Sequence, residues 1–170
     1  MFSFFKKKKT DETDSFESYA EDILNDFQEN DFLGKAAIAG EKAREAKKNK
    51  EYDKAWKYLH ESKQLYLQHA NVQNFTRKQT LALDSSLSIS LADILRLEGK
   101  HSQALVHIIY WASGANNFSN TDKKKVTAYF NRVKLSNSLL EDILEIIKTS
   151  RLNPDFREIQ VKVQGLVDNG

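Results

Sequence analysis

Apolar residues recur at the spacing i, i+3, i+4 along most of the chain, in segments that short polar links separate. The 170 residues include one proline and six glycines, so there are few points at which a helix must end. Residues 160–164 alternate like a strand, but a single strand would have no partner. The pattern therefore predicts an all-α fold of about eight helices. These predicted helices span approximately residues 14–30, 32–48, 51–70, 76–98, 102–113, 123–135, 138–150 and 153–169.

Residues 1–13 are predicted to be a flexible tail, and residues 14–170 a single domain. The first predicted helix is acidic, because neither Lys nor Arg occurs between Asp11 and Asp31. Asp14 precedes Glu17 by the spacing of a capping box, which is typical of a helix start. The apolar stripe of this helix consists of Phe16, Tyr19, Ala20, Ile23, Leu24 and Phe27.

Local signals also place other helices. Ser138 and Glu141 have the spacing of a capping box. Asn153 is a candidate N-cap, with Pro154 in the first helical position, where its missing N–H costs little. The segment 102–113 is apolar on every side, which predicts a central, buried helix.

Two segments share one pattern of small, ring-bearing and large apolar residues. In each, a small residue in one helix is followed by a polar turn, a ring residue, an Ala and a large apolar residue. The two sets are Ala43, Tyr52, Ala55 and Leu59, and Ala92, His101, Ala104 and Ile108, at an offset of 49 residues. Over residues 36–113 the chain resembles the tetratricopeptide repeat (TPR), a helix–turn–helix unit with small residues where its two helices meet.

This resemblance implies TPR-like antiparallel hairpins, flanked by capping amphipathic helices, with a ligand groove on the first helix of each hairpin. By position, the implied groove residues are Arg44, Lys47, Lys48, Asp93 and Arg96. The set is mildly basic, but it does not reproduce the paired Lys and Asn with which such domains grip a carboxylate. It implies a protein or peptide partner with an acidic segment. The acidic first helix is one such segment, and it could pack there itself.

No pattern in the sequence indicates catalysis, a cofactor or a metal site. The chain has no cysteine, no glycine-rich phosphate loop and no Gly-x-Ser-x-Gly. The histidines, His60, His69, His101 and His107, do not have the spacing of a zinc-protease helix. His107 lies in an apolar run and is interpreted as a core residue with satisfied hydrogen bonds, not as a ligand. We therefore expect a protein that is not an enzyme and has no cofactor.

The formal net charge of +2 gives no general attraction to nucleic acid, and the acidic first helix opposes such binding. Lys123–Lys125 would oppose the macrodipole at a helix start, so either that helix begins near Ser119 or these lysines contact an anion. The N-terminal tail places aromatic residues before four lysines, unlike a secretory signal. Its candidate membrane or anion contacts are Phe2, Phe4, Phe5, Lys6, Lys7, Lys8 and Lys9. Such a tail is compatible with weak contact at an anionic membrane surface, but a flexible soluble tail is the favoured interpretation.

The expected function is that of a cytoplasmic, non-catalytic adaptor or scaffold that binds a protein or peptide. One alternative is a peripheral membrane adaptor that uses the N-terminal tail. A second alternative is an enzyme or regulatory subunit with a pocket between helices. A homo-oligomer is compatible with each, because two repeats need further apolar surface to cap them.

Overall fold

The computed structural model describes residues 30–151 and 153–169. Their α-helices are α1 (Phe32–Lys48), α2 (Tyr52–Val72), α3 (Arg77–Ser86), α4 (Ser88–Leu97), α5 (His101–Gly114), α6 (Asn120–Val133), α7 (Leu140–Ser150) and α8 (Phe156–Asn169). A 3₁₀ turn, Asn137–Leu139, precedes α7.

The all-α prediction is confirmed for the described residues, which contain no strand. Residues 160–164 lie inside α8, so the helical interpretation of their alternating pattern is correct. If α3 and α4 are counted as one helix, the described residues form seven, matching the last seven that the sequence predicts. The predicted tail, and the first predicted helix apart from Asn30, lie outside the described residues.

Helix α5 lies at the centre of the described part of the chain, as its apolar sequence predicts. It packs against α3, α4, α6, α7 and α8. Phe130 of α6, Ile147 of α7 and Ile159 of α8 all belong to the buried cluster around it. The eight buried residues of α5 include two fully buried isoleucines, Ile108 and Ile109. A helix packed on most of its sides needs apolar residues on most of its sides, and in α5 only Gln103 is exposed.

Helix α1 packs along α2 through a stripe of four buried alanines, Ala36, Ala39, Ala43 and Ala46. The Ser62 hydroxyl of α2 donates a hydrogen bond of 2.9 Å to the Ala36 carbonyl. Such contact is possible because alanine side chains let the two backbones approach closely. The same α1–α2 pair joins α4 through a second cluster that contains Leu59, Leu91 and Ile94.

The predicted helix 76–98 is interrupted at Leu87, which separates α3 from α4. Immediately before this point, the hydroxyl of Ser85 donates to the Ala82 carbonyl at 3.1 Å, and that of Ser86 to the Leu83 carbonyl at 2.7 Å. Serine hydroxyls that bond nearby carbonyls compete with the helical ladder and bend or break it. Periodicity alone did not reveal the interruption, since the apolar spacing continues through it.

Two predicted N-caps are wrong, because their side chains have other partners. The Ser138 hydroxyl lies 2.9 Å from that of Ser136, within the 3₁₀ turn, and α7 begins two residues later without a side-chain cap. The Asn153 side-chain oxygen accepts hydrogen bonds of 3.1 and 2.7 Å from Arg77. Asp155 caps α8 instead, because its Oδ1 accepts a hydrogen bond of 2.8 Å from the Glu158 N–H.

Helix α6 begins at Asn120, with Ser119 as its N-cap in a complete capping box with Asp122. Of the two alternatives for Lys123–Lys125, the earlier helix start is therefore correct. The hydrogen bonds from Ser119 lower the pKa of Asp122 below its usual value. A carboxylate in this first turn also offsets the effect of the lysines on the macrodipole.

The hairpin turns α1–α2 and α4–α5 have the same backbone geometry at an offset of 49 residues. The Glu51 N–H donates to the Ala46 carbonyl at 2.9 Å, and the Lys100 N–H donates to the Leu95 carbonyl at 2.8 Å. The residue before each donor has a left-handed conformation, with φ of 61° at Lys50 and 77° at Gly99. This is the helix-ending geometry in which glycine is the preferred residue.

We expect Gly99→Ala to lower the free energy of unfolding by about 1 kcal/mol, because a Cβ is strained at this φ. Lys50→Gly should raise it by up to about 1 kcal/mol for the same reason. No described atom lies within 4 Å of an added Cβ at Gly99, so backbone strain alone is tested. Urea unfolding of both variants measures the effect. Changes of equal sign in the two variants would contradict a shared turn geometry.

Candidate functional site

A groove runs between α1, α2 and α4, and we name it the α1 groove. Its volume is about 350 Å³. Ala36, Gly40 and Ala43 of α1 form part of its lining, together with Leu59 of α2 and Ile94 of α4. No described atom lies within 4 Å of a Cβ built on Gly40, so the centre of the groove is open there. The small floor residues would allow another helix to approach closely.

The α1 groove has a polar rim that includes two of the residues implied by the TPR resemblance, Arg44 and Lys47. Arg44 forms an ion pair of 2.9 Å with Glu41, and both side chains are mostly exposed. An exposed pair of this kind contributes about 0–1 kcal/mol, so Arg44 can exchange Glu41 for another carboxylate at little cost. Lys48 is exposed at the end of α1 and does not line the groove.

Three of the implied residues meet at one end of the groove. The Asp93 carboxylate accepts from Lys47 Nζ at 3.0 Å and from Arg96 Nε at 3.0 Å, which ties α1 to α4. Partial burial raises the pKa of Asp93, but the hydrogen bonds from Arg96 and Lys47 outweigh it and lower the pKa below its usual value. The same hydrogen bond has the opposite effect on its donor, because it raises the pKa of Arg96. Asp93 therefore holds two cations in place and neutralises one of their charges.

Three charged residues line the α1 groove: Arg44 and Lys47 are cations and Glu41 is an anion, so the lining has one net positive charge. Beside Lys47, the charges of Asp93 and Arg96 cancel. A mildly basic surface results, close to an apolar floor. The arrangement suits a ligand that presents an apolar face and scattered carboxylates.

A second cleft, whose lining residues the sequence did not group, lies between α2, α5 and α8, and we name it the aromatic cleft. Its volume is about 380 Å³, and Trp56, His107 and Phe156 are among its lining residues. The ring centroids of His107 lie 5.7 Å from Trp56 and 4.7 Å from Phe156. The three rings come from three different helices, so no local spacing in the sequence could have grouped them.

The surroundings of two histidines at this cleft lower their pKa values. Burial, with help from the nearby Lys63 and His60, lowers the pKa of His107 to about 4. Burial and Lys63 also lower the pKa of His60. Among the described residues, neither His107 Nδ1 nor His60 Nε2 has a hydrogen-bond partner. His107 packs in this ring cluster, but its Nδ1 without a partner contradicts the interpretation of a core residue with satisfied hydrogen bonds.

A charged network joins α2, α3 and α5 next to the same rings. Lys63 Nζ lies 3.1 Å from Asp84 Oδ1, and the Tyr110 hydroxyl donates to Asp84 Oδ2. Lys63 also lies over the Tyr110 ring, 5.7 Å from its centroid. Burial and the bond to Asp84 raise the pKa of Tyr110 well above its ordinary value. The charge of Asp84 is paired with Lys63 and the Tyr110 hydroxyl has an acceptor, which is typical of a structural link between helices.

The described residues contain no group of three or more His, Cys, Asp or Glu side chains that could hold a metal ion. Within the same part of the chain, no helix combines the length and apolar character needed to cross a membrane. The N-terminal aromatic and lysine residues, Phe2, Phe4, Phe5 and Lys6–Lys9, lie outside the described residues.

Comparison with protein-family models, with curated proteins and with solved structures gives no significant match.

Proposed function

We propose that the chain is a non-catalytic module that binds a protein or peptide segment in the α1 groove. The observation that carries this proposal is an open groove with small apolar residues on its floor and cations on its rim. Recognition of this kind lays the apolar face of an amphipathic helix into a hydrophobic groove. The favoured ligand is a helix with one apolar face and acidic residues beside it.

The proposal includes two TPR-like hairpins as the scaffold, and two observations support it. The α1–α2 and α4–α5 turns have matching hydrogen bonds at the same 49-residue offset. Three pairs of aligned positions are also buried in both hairpins: Ala43 and Ala92, Ala55 and Ala104, Leu59 and Ile108. A scaffold of paired helices holds the groove-lining side chains at set distances, which lowers the entropy cost of binding.

A direct test uses a synthetic, fluorescently labelled helix about as long as α1, with Leu on one face and Glu on the others. A second peptide carries Lys in place of every Glu. We expect the acidic peptide to bind with the higher affinity, measured by fluorescence anisotropy. Because the groove charges are exposed, its affinity should fall as salt is raised.

Gly40→Trp is the matching protein variant, because an indole at this position would fill the open part of the groove. We expect it to weaken binding of the acidic peptide by at least about ten-fold. Gly165→Trp is the control, since Gly165 is also helical, no described atom lies within 4 Å of its added Cβ, and it lies in α8. Equal binding by the two variants, or equal affinity for the two peptides, would contradict the proposal.

A further inference from the structure

The proposed function leaves the aromatic cleft without a role. The cleft shares no lining residue with the α1 groove, so the two are separate sites. The lining of the α1 groove follows one helix from Ala36 to Lys47, whereas in the aromatic cleft rings from three helices converge on one place. A volume of about 380 Å³, with rings and a few polar groups in the lining, is typical of a site for a small molecule.

Three rings give the cleft its apolar surface. Trp56, His107 and Phe156 are each half-buried, so each keeps part of its surface open to the cleft that it lines. With a pKa of about 4, the His107 ring is uncharged at neutral pH, and its Nδ1 forms no hydrogen bond to a described residue. Aromatic rings pack against another ring, and their faces attract cations. The rings therefore suit a ligand that is both aromatic and cationic.

The charged side chains that line the cleft are Asp53, Glu98 and Lys100. Lys100 Nζ lies 3.1 Å from Glu98 Oε1, so this ammonium offsets one of the two carboxylates. Asp53 is exposed in the first turn of α2, and its carboxylate leaves the lining with one net negative charge. The other polar side chains of the lining are uncharged amides and a hydroxyl, apart from His107. Charge complementarity therefore favours a cation over an anion.

Two positive features near the cleft do not reverse this sign. Lys63 is close enough to lower the pKa of His107, but its Nζ lies 3.1 Å from Asp84 Oδ1, which offsets its charge. Helices α2 and α5 begin beside the cleft, and a helix start favours anions. That effect is the effect of a partial charge and falls off within one turn, whereas Asp53 carries a full negative charge.

We propose that the aromatic cleft binds a small aromatic amine, whose ring packs against Trp56 and Phe156 and whose ammonium group pairs with Asp53. This inference goes beyond the proposed function and is independent of it, because the two sites share no lining residue. Burial of the ligand ring supplies most of the affinity. The carboxylate supplies the preference for a cation, which is modest because Asp53 is exposed to solvent.

Three indole compounds of similar size and different charge serve as probes. At neutral pH tryptamine is a cation, tryptophol is uncharged and indole-3-acetate is an anion. Each is titrated into the isotope-labelled full chain while NMR follows the indole N–H signal of Trp56. Trp111 does not line the cleft, so its indole signal is the internal reference. We expect tryptamine to shift the Trp56 signal with a Kd of about 1 mM or lower, and to shift the Trp111 signal much less.

The order of the three affinities tests the charge preference. We expect tryptophol to bind about three-fold more weakly than tryptamine, since it lacks the ion pair. Indole-3-acetate should bind about ten-fold more weakly than tryptamine, because its carboxylate meets that of Asp53. Equal affinities, or tightest binding by indole-3-acetate, would overturn the proposal. So would a Trp56 signal that tryptamine does not shift, or equal shifts at Trp56 and Trp111.

Asp53→Asn removes the net negative charge of the lining and keeps the shape of the side chain. We expect it to weaken tryptamine binding about three-fold and to leave tryptophol binding unchanged. Asp142→Asn is the matched control, because Asp142 is also an exposed aspartate in the first turn of a helix, α7, and does not line the cleft. Equal losses in the two variants would show a general charge effect and contradict the role of Asp53.

Gln103→Arg reverses the charge of the lining at the one exposed position of α5, where a long side chain can enter the cleft. We expect tryptamine to bind about five-fold more weakly and indole-3-acetate to bind about five-fold more tightly. Gln68→Arg is the control, since Gln68 is exposed in α2 and lies outside the lining. An unaltered Trp111 signal verifies that each variant is folded. If Gln103→Arg kept the affinities of the wild type, the ligand would not lie in the aromatic cleft and the proposal would be wrong.

Discussion

Asp84→Ala is expected to lower the free energy of unfolding by about 3 kcal/mol, because it removes the acceptor that joins three helices. The Asp84 carboxylate lies 3.1 Å from Lys63 Nζ and accepts from the Tyr110 hydroxyl. The Lys63 and Asp84 side chains are only 23% and 17% exposed. Without Asp84, the ammonium of Lys63 and the hydroxyl of Tyr110 would stay largely desolvated and unpaired. Chemical unfolding at neutral pH measures the loss.

Two controls separate this network from ordinary surface effects. Tyr110→Phe removes one hydrogen bond and leaves the ion pair, so it should cost about 1 kcal/mol. Glu145→Ala removes an ion pair with Lys148 whose side chains are 57% and 78% exposed, and it should change stability by less than about 0.5 kcal/mol. If Asp84→Ala were as mild as Glu145→Ala, the network would not stabilise the packing of α2, α3 and α5.

Acid is expected to destabilise the protein through His107. Its pKa is lowered to about 4 in the folded chain, by burial and by Lys63 and His60, whereas an unfolded histidine has a pKa of about 6.5. As the pH falls below about 6.5, the unfolded state binds the proton first, and stability falls until about pH 4. Above this window the contribution is fully present. The expected loss across it is about 3 kcal/mol.

The measurement is urea unfolding at a series of pH values between about 4 and 7, with His107→Gln as the comparison. The Gln variant cannot take up the proton, so its stability should fall less steeply in this window. His69→Gln serves as the control. His69 lies in α2, packs on Phe75 and is outside the cluster of Trp56, His107 and Phe156. An imidazole NMR titration of His107 with a midpoint near 6.5 would contradict the prediction.

The helices were largely predictable because their signal is local. A stripe such as Ala36, Ala39, Ala43 and Ala46 requires only that one side of a helix is buried, and the 3.6-residue period reveals it. Helix ends were less predictable, since a cap depends on which partner its side chain finds. Asn153 has the right chemistry for a cap, yet it accepts hydrogen bonds from Arg77, distant in sequence, and Asp155 caps the helix instead.

The candidate site was predictable in part. The TPR resemblance implied Arg44 and Lys47 as groove residues, and both line the α1 groove. The resemblance also implied Asp93 and Arg96, which pair within α4. The contact of Lys47 with Asp93 was not predictable, because it depends on how α1 packs on α4. Lys48 shares a helix with these residues but lies outside the groove lining.

By itself, the sequence determined the helical class, the buried sides of the helices and the positions of the two matching hairpin turns. These features follow from backbone geometry and from the free energy of burying apolar side chains, both of which act over a few residues. Only the tertiary structure decided that Trp56, His107 and Phe156 meet, and that Lys63 pairs with Asp84. Such contacts depend on the crossing of helices far apart in the chain, which local spacing does not encode.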